Sequence, residues 1–362
     1  MKRFLVGLIL ALLALAASSS LGVASAAGHG SVYTNDNAAA NSVLQFQASP
    51  GGALALVGTF STHGSGTGSA LASQGAVALT NDGRWLVTVD AGSNEITTFQ
   101  VNPDGSLTFA SKVASQGTAP NSVTISDRIV YVLDAGTATV AGNIAGFTLG
   151  NNGQLTFISG SNLPLGGHAG SSPEQIGFNG DGNVLVVTEK AANLIDTYTV
   201  SRDGAASGPT TTASNSAGPY GFAFTNRDTL VLSEAATGTL SSYTVSDDGA
   251  LRTLSGSIPD FGLAPCWVAV SHDGRYAYTS NAHGGTISGY AISDGGMLSL
   301  FSSVAAKASI PTLDLAFSGN NQFLYALNGG QITSFQVYPD GSISQASTIA
   351  GLPSSASGLA AS

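Results

Sequence analysis

Apolar and polar residues alternate along this chain in short runs, and the runs return in the same order. In Ala264-Pro265-Cys266-Trp267-Val268-Ala269-Val270-Ser271-His272-Asp273-Gly274-Arg275-Tyr276-Ala277-Tyr278-Thr279-Ser280-Asn281, one alternating run meets an Asp-Gly turn and a second run ends on a polar residue. The phrase recurs from Gly75, Pro120, Pro173, Pro219 and Leu313. A period of two predicts half-buried strands, and Asp-Gly or Asn-Gly predicts tight hairpins, because Gly accepts positive φ and Asn or Asp tolerates the left-handed region. Four short strands repeated at a fixed interval make a propeller blade. Seven copies are counted, so the predicted fold class is all-β, a seven-bladed β-propeller.

Two families of turn punctuate the copies. Asp82-Gly83, Asp181-Gly182, Asp273-Gly274 and the degenerate Asn320-Asn321 join the innermost strand A to strand B. Asp104-Gly105, Asn152-Gly153, Asp203-Gly204, Asp248-Gly249, Asp294-Gly295, Asp340-Gly341 and Pro50-Gly51-Gly52 join strands C and D. In an up-and-down blade both families fall on one face of the disc. The irregular B–C and D–A loops, including 61–68, 163–173 and 257–265, then share the other face, where binding residues are expected. The first copy lacks its own strand A. The segment Ser357-Gly358-Leu359-Ala360-Ala361-Ser362 matches Asn121-Ser122-Val123-Thr124-Ile125-Ser126 position for position, so it is predicted to supply the missing strand and close the ring, removing a sheet edge.

The first 26 residues read differently. Lys2 and Arg3 precede an apolar stretch from Phe4 to about Ala17, and Ala24-Ser25-Ala26 offers a small-residue cleavage site: a secretory signal peptide, with an uncleaved N-terminal anchor as the alternative. Residues 27–362 are then a single propeller domain, secreted or extracytoplasmic and with no membrane attachment once the signal is removed. The formal charge of the chain is −10, and losing Lys2 and Arg3 makes it −12, which argues against a nucleic-acid or anionic-membrane partner. Cys266 is the only cysteine, so no internal disulfide forms, and its apolar strand reads as a buried site. No Cys/His cluster has metal-ligand spacing and no cofactor motif stands out, so neither a metal nor a cofactor is expected. A monomer is expected.

Aligning the copies separates regular columns from irregular ones. One strand-A column reads Ala78, Thr124, Gly177, Ala223, Ala269, Ala316 and Ala360: small residues, as a crowded central channel requires. Two residues earlier the column reads Ala76, Ser122, Gln175, Gly221, Trp267, Asp314 and Gly358. Trp267, Asp314 and Gln175 break the pattern and are candidates for a binding mouth, the alternative being that Trp267 plugs the channel and Asp314 takes a hydrogen bond from a loop. Glu174, Tyr220 and Asn281 stand beside this mouth as further substrate-binding candidates. Strand B ends on Asn35, Asp90, Asp134, Glu189, Glu234, Asn281 and Asn328. Turn capping explains the short side chains. Glu189 and Glu234 cap less naturally, sit in adjacent blades, and are candidates for paired acid–base work. His168 and His283, in loops of the same face, are candidate general bases, although a lone loop histidine is also simply solvated.

The phrases Asn81-Asp82-Gly83-Arg84-Trp85-Leu86-Val87, Val101-Asn102-Pro103-Asp104-Gly105-Ser106-Leu107 and Ser271-His272-Asp273-Gly274-Arg275-Tyr276-Ala277-Tyr278 resemble the lactonase family of seven-bladed propellers, of the 6-phosphogluconolactonase and 3-carboxymuconate cyclase type. The resemblance spans residues 27–362 and implies a lactone hydrolase. It also implies Pro-Arg-His or Pro-His opening some inner strands, Asn-Glu ending one strand B and an Arg soon after another. Here the inner strands open Pro173-Glu174-Gln175, Pro219-Tyr220-Gly221 and Pro265-Cys266-Trp267; Ser233-Glu234 keeps the acid; and Ala282 stands where the Arg is implied.

Two functions follow as expectations. One is hydrolysis of a small lactone or sugar-derived substrate at the channel mouth, with Glu234 as acid–base group assisted by Glu189, His168 or His283, and Trp267 as platform. The other is a non-catalytic extracytoplasmic propeller that binds a carbohydrate, peptide or extracellular protein through the loop face.

Overall fold

The structure is a computed structural model and describes residues 30–362; the leader predicted over residues 1–26 lies outside them. The seven predicted blades are present as seven antiparallel sheets, all but the first with their strands hydrogen-bonded in sequence order. Strand A of the first blade is Ser357–Ala361, which pairs with Ser31–Asn35 through Val32↔Ala361 and Tyr33↔Ala360. The ring is therefore closed by the two ends of the described chain, as the repeat predicted. Strand B is buried along its whole length in most blades, as in Val184–Glu189 and Thr229–Glu234, because neighbouring blades cover both its faces. Outer strands such as Ala206–Ala213 are mostly exposed.

One contact recurs at all seven blade interfaces. A hydroxyl on strand B or C donates to the carbonyl of the glycine in the next blade's C–D turn: Tyr33 to Gly105, Thr98 to Gly153, Tyr131 to Gly204, Thr197 to Gly249, Ser242 to Gly296, Tyr278 to Gly341 and Ser334 to Gly52, at 2.6–2.8 Å. All seven glycines have φ between +76° and +85°. That conformation turns the carbonyl back toward the preceding blade, and a side chain could hold it only under strain. The donors are matched across strands. Val87, Val186 and Val231 lie opposite the donors Thr98, Thr197 and Ser242, whereas Tyr131 and Tyr278 lie opposite Gly146 and Gly289. A Cβ at Gly146 would sit 2.5 Å from the Tyr131 ring carbon bearing the hydroxyl. At these five interfaces a short hydroxyl on strand C faces a valine or a long phenol reaches across a glycine, whereas Tyr33 lies opposite Gln45 and Ser334 opposite Tyr325.

The D–A crossover that leaves the first blade does not stay on the rim. Its residues 70–75 run across the end of the central channel as a strap. Leu71 N donates to Ser357 Oγ (2.8 Å), and Ser73 O accepts Trp267 Nε1 (2.8 Å). Gln74 pairs with both backbone groups of Val268, its Nε2 donating to the carbonyl (2.7 Å) and its Oε1 accepting from the amide (3.0 Å). Ser122 Oγ donates to Gln74 O, and Gly75 N donates to Asp314 Oδ2. One strap thus ties the first, third, sixth and seventh blades together. Beneath it the channel is a cavity of about 270 Å3, walled by Ala78, Thr124, Gly177 and Ala223 of the small column and reaching Phe178 and Phe224 toward the tight-turn side.

Thr197→Val keeps the shape of its side chain but leaves the Gly249 carbonyl without its donor. It is expected to lower stability by about 1–3 kcal/mol, read as a shift of the chemical denaturation midpoint at unchanged slope; an unshifted midpoint would show that the inter-blade bond contributes nothing.

Candidate functional site

The inner strands do not keep strict alternation. In six blades the register slips near the loop-face end of strand A, in the first between Ser357 and Ala360 and in five others after Pro120, Pro173, Pro219, Pro265 and Thr312. A β-bulge puts two residues opposite one and re-aims a side chain. The residue after each of these last five positions, Asn121, Glu174, Tyr220, Cys266 and Leu313, turns to the loop face, and all five line the cavities there. The binding column therefore lies one residue before the predicted one. Strict period-two reading reached Gln175, Trp267 and Asp314, whereas the bulge hands the mouth to their predecessors, including the predicted Glu174 and Tyr220.

The strap divides the mouth. On one side a cavity of about 420 Å3 runs along Ala70–Ala72, Asn121, Thr137 and Glu174. On the other a cavity of about 410 Å3 is walled by Leu71, Tyr220, Ala235, Ala264, Cys266, Trp267, Pro311 and Leu313, with Lys190 and His283 as its only ionisable nitrogens. Lys190, which the sequence reading missed, is the residue after the strand-B acid of the fourth blade. Its ammonium lies 2.6 Å from Glu174 Oε1 and 5.0 Å from the centre of the Tyr220 ring. Tyr220 in turn meets Trp267 edge to face, with ring centres 5.1 Å apart and planes at 65°. Glu174 is almost wholly buried, accepts a bond from Ser172 Oγ (2.9 Å), and presents its backbone carbonyl to Gln74 N (3.0 Å). Burial pushes its carboxyl up while the Lys190 ammonium pulls it down. Burial raises the Tyr220 phenol well above its usual range and the Cys266 thiol to about 12, so both remain protonated at neutral pH.

The other predicted residues serve the frame. Trp267 is buried, with its indole nitrogen on the strap and part of its ring facing the second cavity. Gln175 bridges strands A of the fourth and fifth blades through Phe222 N (2.7 Å) and O (3.0 Å). Asp314 accepts from Gly75 N and Leu315 N inside the channel. Both line the channel below the strap rather than the loop-face cavities.

The acids ending strand B act as latches on the crossover from the preceding blade, a role that B–C turn capping did not foresee. Asp90 takes the hydroxyl of Thr62, Asp134 that of Ser115 (2.6 Å), and Glu189 the amide of Gly167 (2.7 Å). Glu234, fully buried, takes Ser216 N (3.0 Å), Ser214 Oγ (3.3 Å), Ser241 Oγ (2.8 Å) and Thr239 Oγ1 (2.5 Å). Neither Glu189 nor Glu234 lines a loop-face cavity, and each belongs to its own blade's network. Asn281 donates to Thr286 and Ser288 beneath the crossover at Gly262, where a Cβ would sit 2.3 Å from its Cγ. His168 is exposed and outside both cavities; His283 is exposed on the wall of the second. Among the described residues no group of three or more His, Cys, Asp or Glu is arranged to hold a metal ion, and no helix is long and apolar enough to cross a membrane.

A closed seven-bladed propeller, its inner strands bulged toward a strapped mouth, is the class of protein that fold and site define. The family described as lactonase, 7-bladed beta-propeller matches residues 37–160 and 230–312, more than half of the chain, and the chain belongs to that family. Among curated proteins none matches. Solved structures extend the likeness in fold. The periplasmic gluconolactonase PpgL of Pseudomonas aeruginosa is 16% identical with a TM-score of 0.73, over 92% of this chain and 99% of its own. A Bacteroides uniformis protein, provisionally described as a 6-phosphogluconolactonase, is 17% identical with a TM-score of 0.71, again over 92% and 99%. Virginiamycin B lyase of Staphylococcus aureus is 16% identical with a TM-score of 0.53, over 75% of this chain and 83% of its own.

Several buried acids carry their protons unusually high. Burial pushes Asp314 to about 7 and Asp134 to about 6, and burial together with the neighbouring Asp196 carboxylate pushes Glu189 to about 7. Each binds its proton more tightly folded than unfolded, so the folded state holds more protons between the ordinary carboxyl range and these values, and stability falls as pH rises through that window. The melting temperature is expected to drop between pH 5 and pH 8, and to drop less in Asp314→Asn. A melting temperature that climbs over that interval would contradict these assignments.

Proposed function

We propose that the second loop-face cavity is the active site of a hydrolase for a neutral, largely apolar lactone. The observation that supports this reading is the Glu174–Lys190 pair at the edge of an apolar pocket. An ammonium already matched by a carboxylate at 2.6 Å is a poor counter-ion for a phosphate or carboxylate, but its remaining N–H groups can still donate to an uncharged carbonyl. Walls of Leu71, Ala235, Ala264, Trp267 and Leu313 suit a hydrocarbon ring better than a polyol.

The chemistry available to these side chains is a water-mediated acyl transfer. His283 takes a proton from water as it adds to the lactone carbonyl. Lys190 and the Tyr220 hydroxyl donate hydrogen bonds to the carbonyl oxygen as it becomes an oxyanion. The ring C–O bond then breaks, the proton passes to the leaving alkoxide, and a hydroxy acid results. Glu234 and Glu189 take no part in this scheme, since they hold crossovers. The lactonase family and the periplasmic gluconolactonase of similar fold support the hydrolase reading. The leader-like composition of residues 1–26 and the periplasmic setting of that similar protein support an extracytoplasmic location.

Aliphatic γ- and δ-lactones beside 6-phosphogluconolactone test the assignment, with release of acid as the readout. Turnover of the neutral lactones is expected, reduced roughly 10²-fold in Lys190→Met and strongly in His283→Ala. Glu234→Gln is expected to lose stability and keep its activity per folded molecule. Preference for the phosphorylated lactone, or loss of turnover in a folded Glu234→Gln, would overturn the reading. Glu174→Gln, which leaves the ammonium uncompensated, is expected to strengthen inhibition by the hydroxy-acid product by roughly threefold or more, about the worth of one modest ion pair. Unchanged product inhibition would show that Glu174 does not set charge selectivity.

A further inference from the structure

The apolar wall of the second cavity does not stop at its mouth. Phe261, Leu263 and Ile310 are 79%, 64% and 65% exposed, the three most exposed large hydrophobic residues among the described ones. They stand together. Leu263 precedes the cavity-lining Ala264, and its carbonyl accepts the amide of His283 (3.2 Å). Ile310 precedes the cavity-lining Pro311 and packs on the same turn as His283, its Cγ1 lying 2.8 Å from where a Cβ of Gly285 would be. Phe261 is two residues before Leu263 in the same crossover.

Their exposure is built into the backbone. Phe261 and Ala264 have φ of +60° and +57°, a conformation that costs a non-glycine residue energy and persists only where the surroundings enforce it. The enforcement is visible between them: Gly262 N donates to Asp260 Oδ1 (2.6 Å), and Gly262 lies tightly over Asn281. The crossover is pinned by its polar atoms beneath and carries its apolar side chains outward. Single exposed hydrophobic residues are ordinary on a protein surface, but three on the two segments that flank an apolar pocket mark a place where apolar matter binds.

We propose that this rim is the tail subsite of the cavity: the ring of the ligand lies against Tyr220, Trp267 and Lys190, and an alkyl chain attached to the ring leaves over Leu263, Ile310 and Phe261. This rests on the preceding assignment of the cavity to a neutral lactone and narrows it to alkyl-substituted lactones. Continuity with the cavity carries the choice of occupant. The lining joins Lys190 to His283, Ala264 and Pro311, the last two adjacent in sequence to Leu263 and Ile310, so the rim adjoins the same cavity in which the ring is held.

The test is binding of a homologous series of γ-lactones, from γ-butyrolactone to γ-dodecalactone, followed by the fluorescence of Trp267, with turnover measured in parallel. Affinity is expected to rise by about two- to fourfold per added methylene until the rim is covered, four-fold being the ratio for a fully buried CH2. In Phe261→Ser/Leu263→Ser/Ile310→Ser the rise is expected to level off early, with the affinity for γ-butyrolactone unchanged. These side chains are exposed, so the variant is expected to fold, and an unchanged denaturation midpoint verifies it. A chain-length dependence absent from the parent protein, or equal in parent and variant, overturns the tail subsite even if lactones are hydrolysed. A chain-length dependence seen in binding without turnover keeps the subsite and removes the hydrolase. A change from dimer to monomer on making the variant, with chain-length dependence intact, assigns the rim to a second copy of this chain and overturns the proposal.

Discussion

The ring of seven hydroxyl-to-carbonyl bonds is the constraint on which the rest of this molecule depends. A propeller has no core that spans the disc. Each blade packs only on its neighbours, so the angle between blades must be fixed at every interface. Here one hydrogen bond fixes it at all seven, from a hydroxyl on strand B or C to a left-handed glycine carbonyl in the next blade. The constant element of the repeat is the acceptor, a glycine in a C–D turn; the donor varies between a phenol on strand B and a small hydroxyl on strand C. The acids at the ends of strand B repeat the arrangement at the loop face, where they grip the crossover of the blade before.

Held this way, the disc leaves its centre free to be specialised. The strap spends the polar atoms of Ser73, Gln74 and Gly75 on four surrounding blades and turns an open channel into a blind cavity beneath and two pockets above. Of the residues that looked most unusual on the inner strands, Trp267 and Asp314 are unusual because they receive the strap, and Gln175 because it bridges two neighbouring inner strands beneath it. Their irregularity is a response to a unique segment crossing a repeated one.

The pocket that remains differs in kind from a site for a charged sugar acid. Its ammonium is matched by a buried glutamate, its walls are mostly hydrocarbon, and strongly exposed apolar side chains stand on the segments beside it. Membership of the lactonase family gives the fold, while the basic residues implied by the resemblance are replaced by Glu174, Tyr220, Cys266 and Ala282. The proposed reading keeps the lactone carbonyl of the family's name and changes what is attached to it.

The sequence by itself determined the blades, their number, the two turn families and the closing of the ring, because period-two alternation and Asp-Gly turns are local signals that each copy restates. It also marked the small channel column and the polar end of strand B. The Tyr–Gly and Val–Thr/Ser pairing at the interfaces was present in it too, visible once strands B and C are set side by side. What only the tertiary structure decided was which irregular residues meet. The bulge in strand A shifts the side-chain phase by one and so moves the mouth from Gln175 and Asp314 to Glu174 and Tyr220. Lys190 acquires its role from a glutamate sixteen positions earlier and a tyrosine thirty later. Glu189 and Glu234, neighbours in the repeat, are parted by the crossovers they hold. Alternation is a property of a chain with itself; convergence at a channel mouth depends on seven strands and one strap arriving together, and no single stretch of sequence contains that.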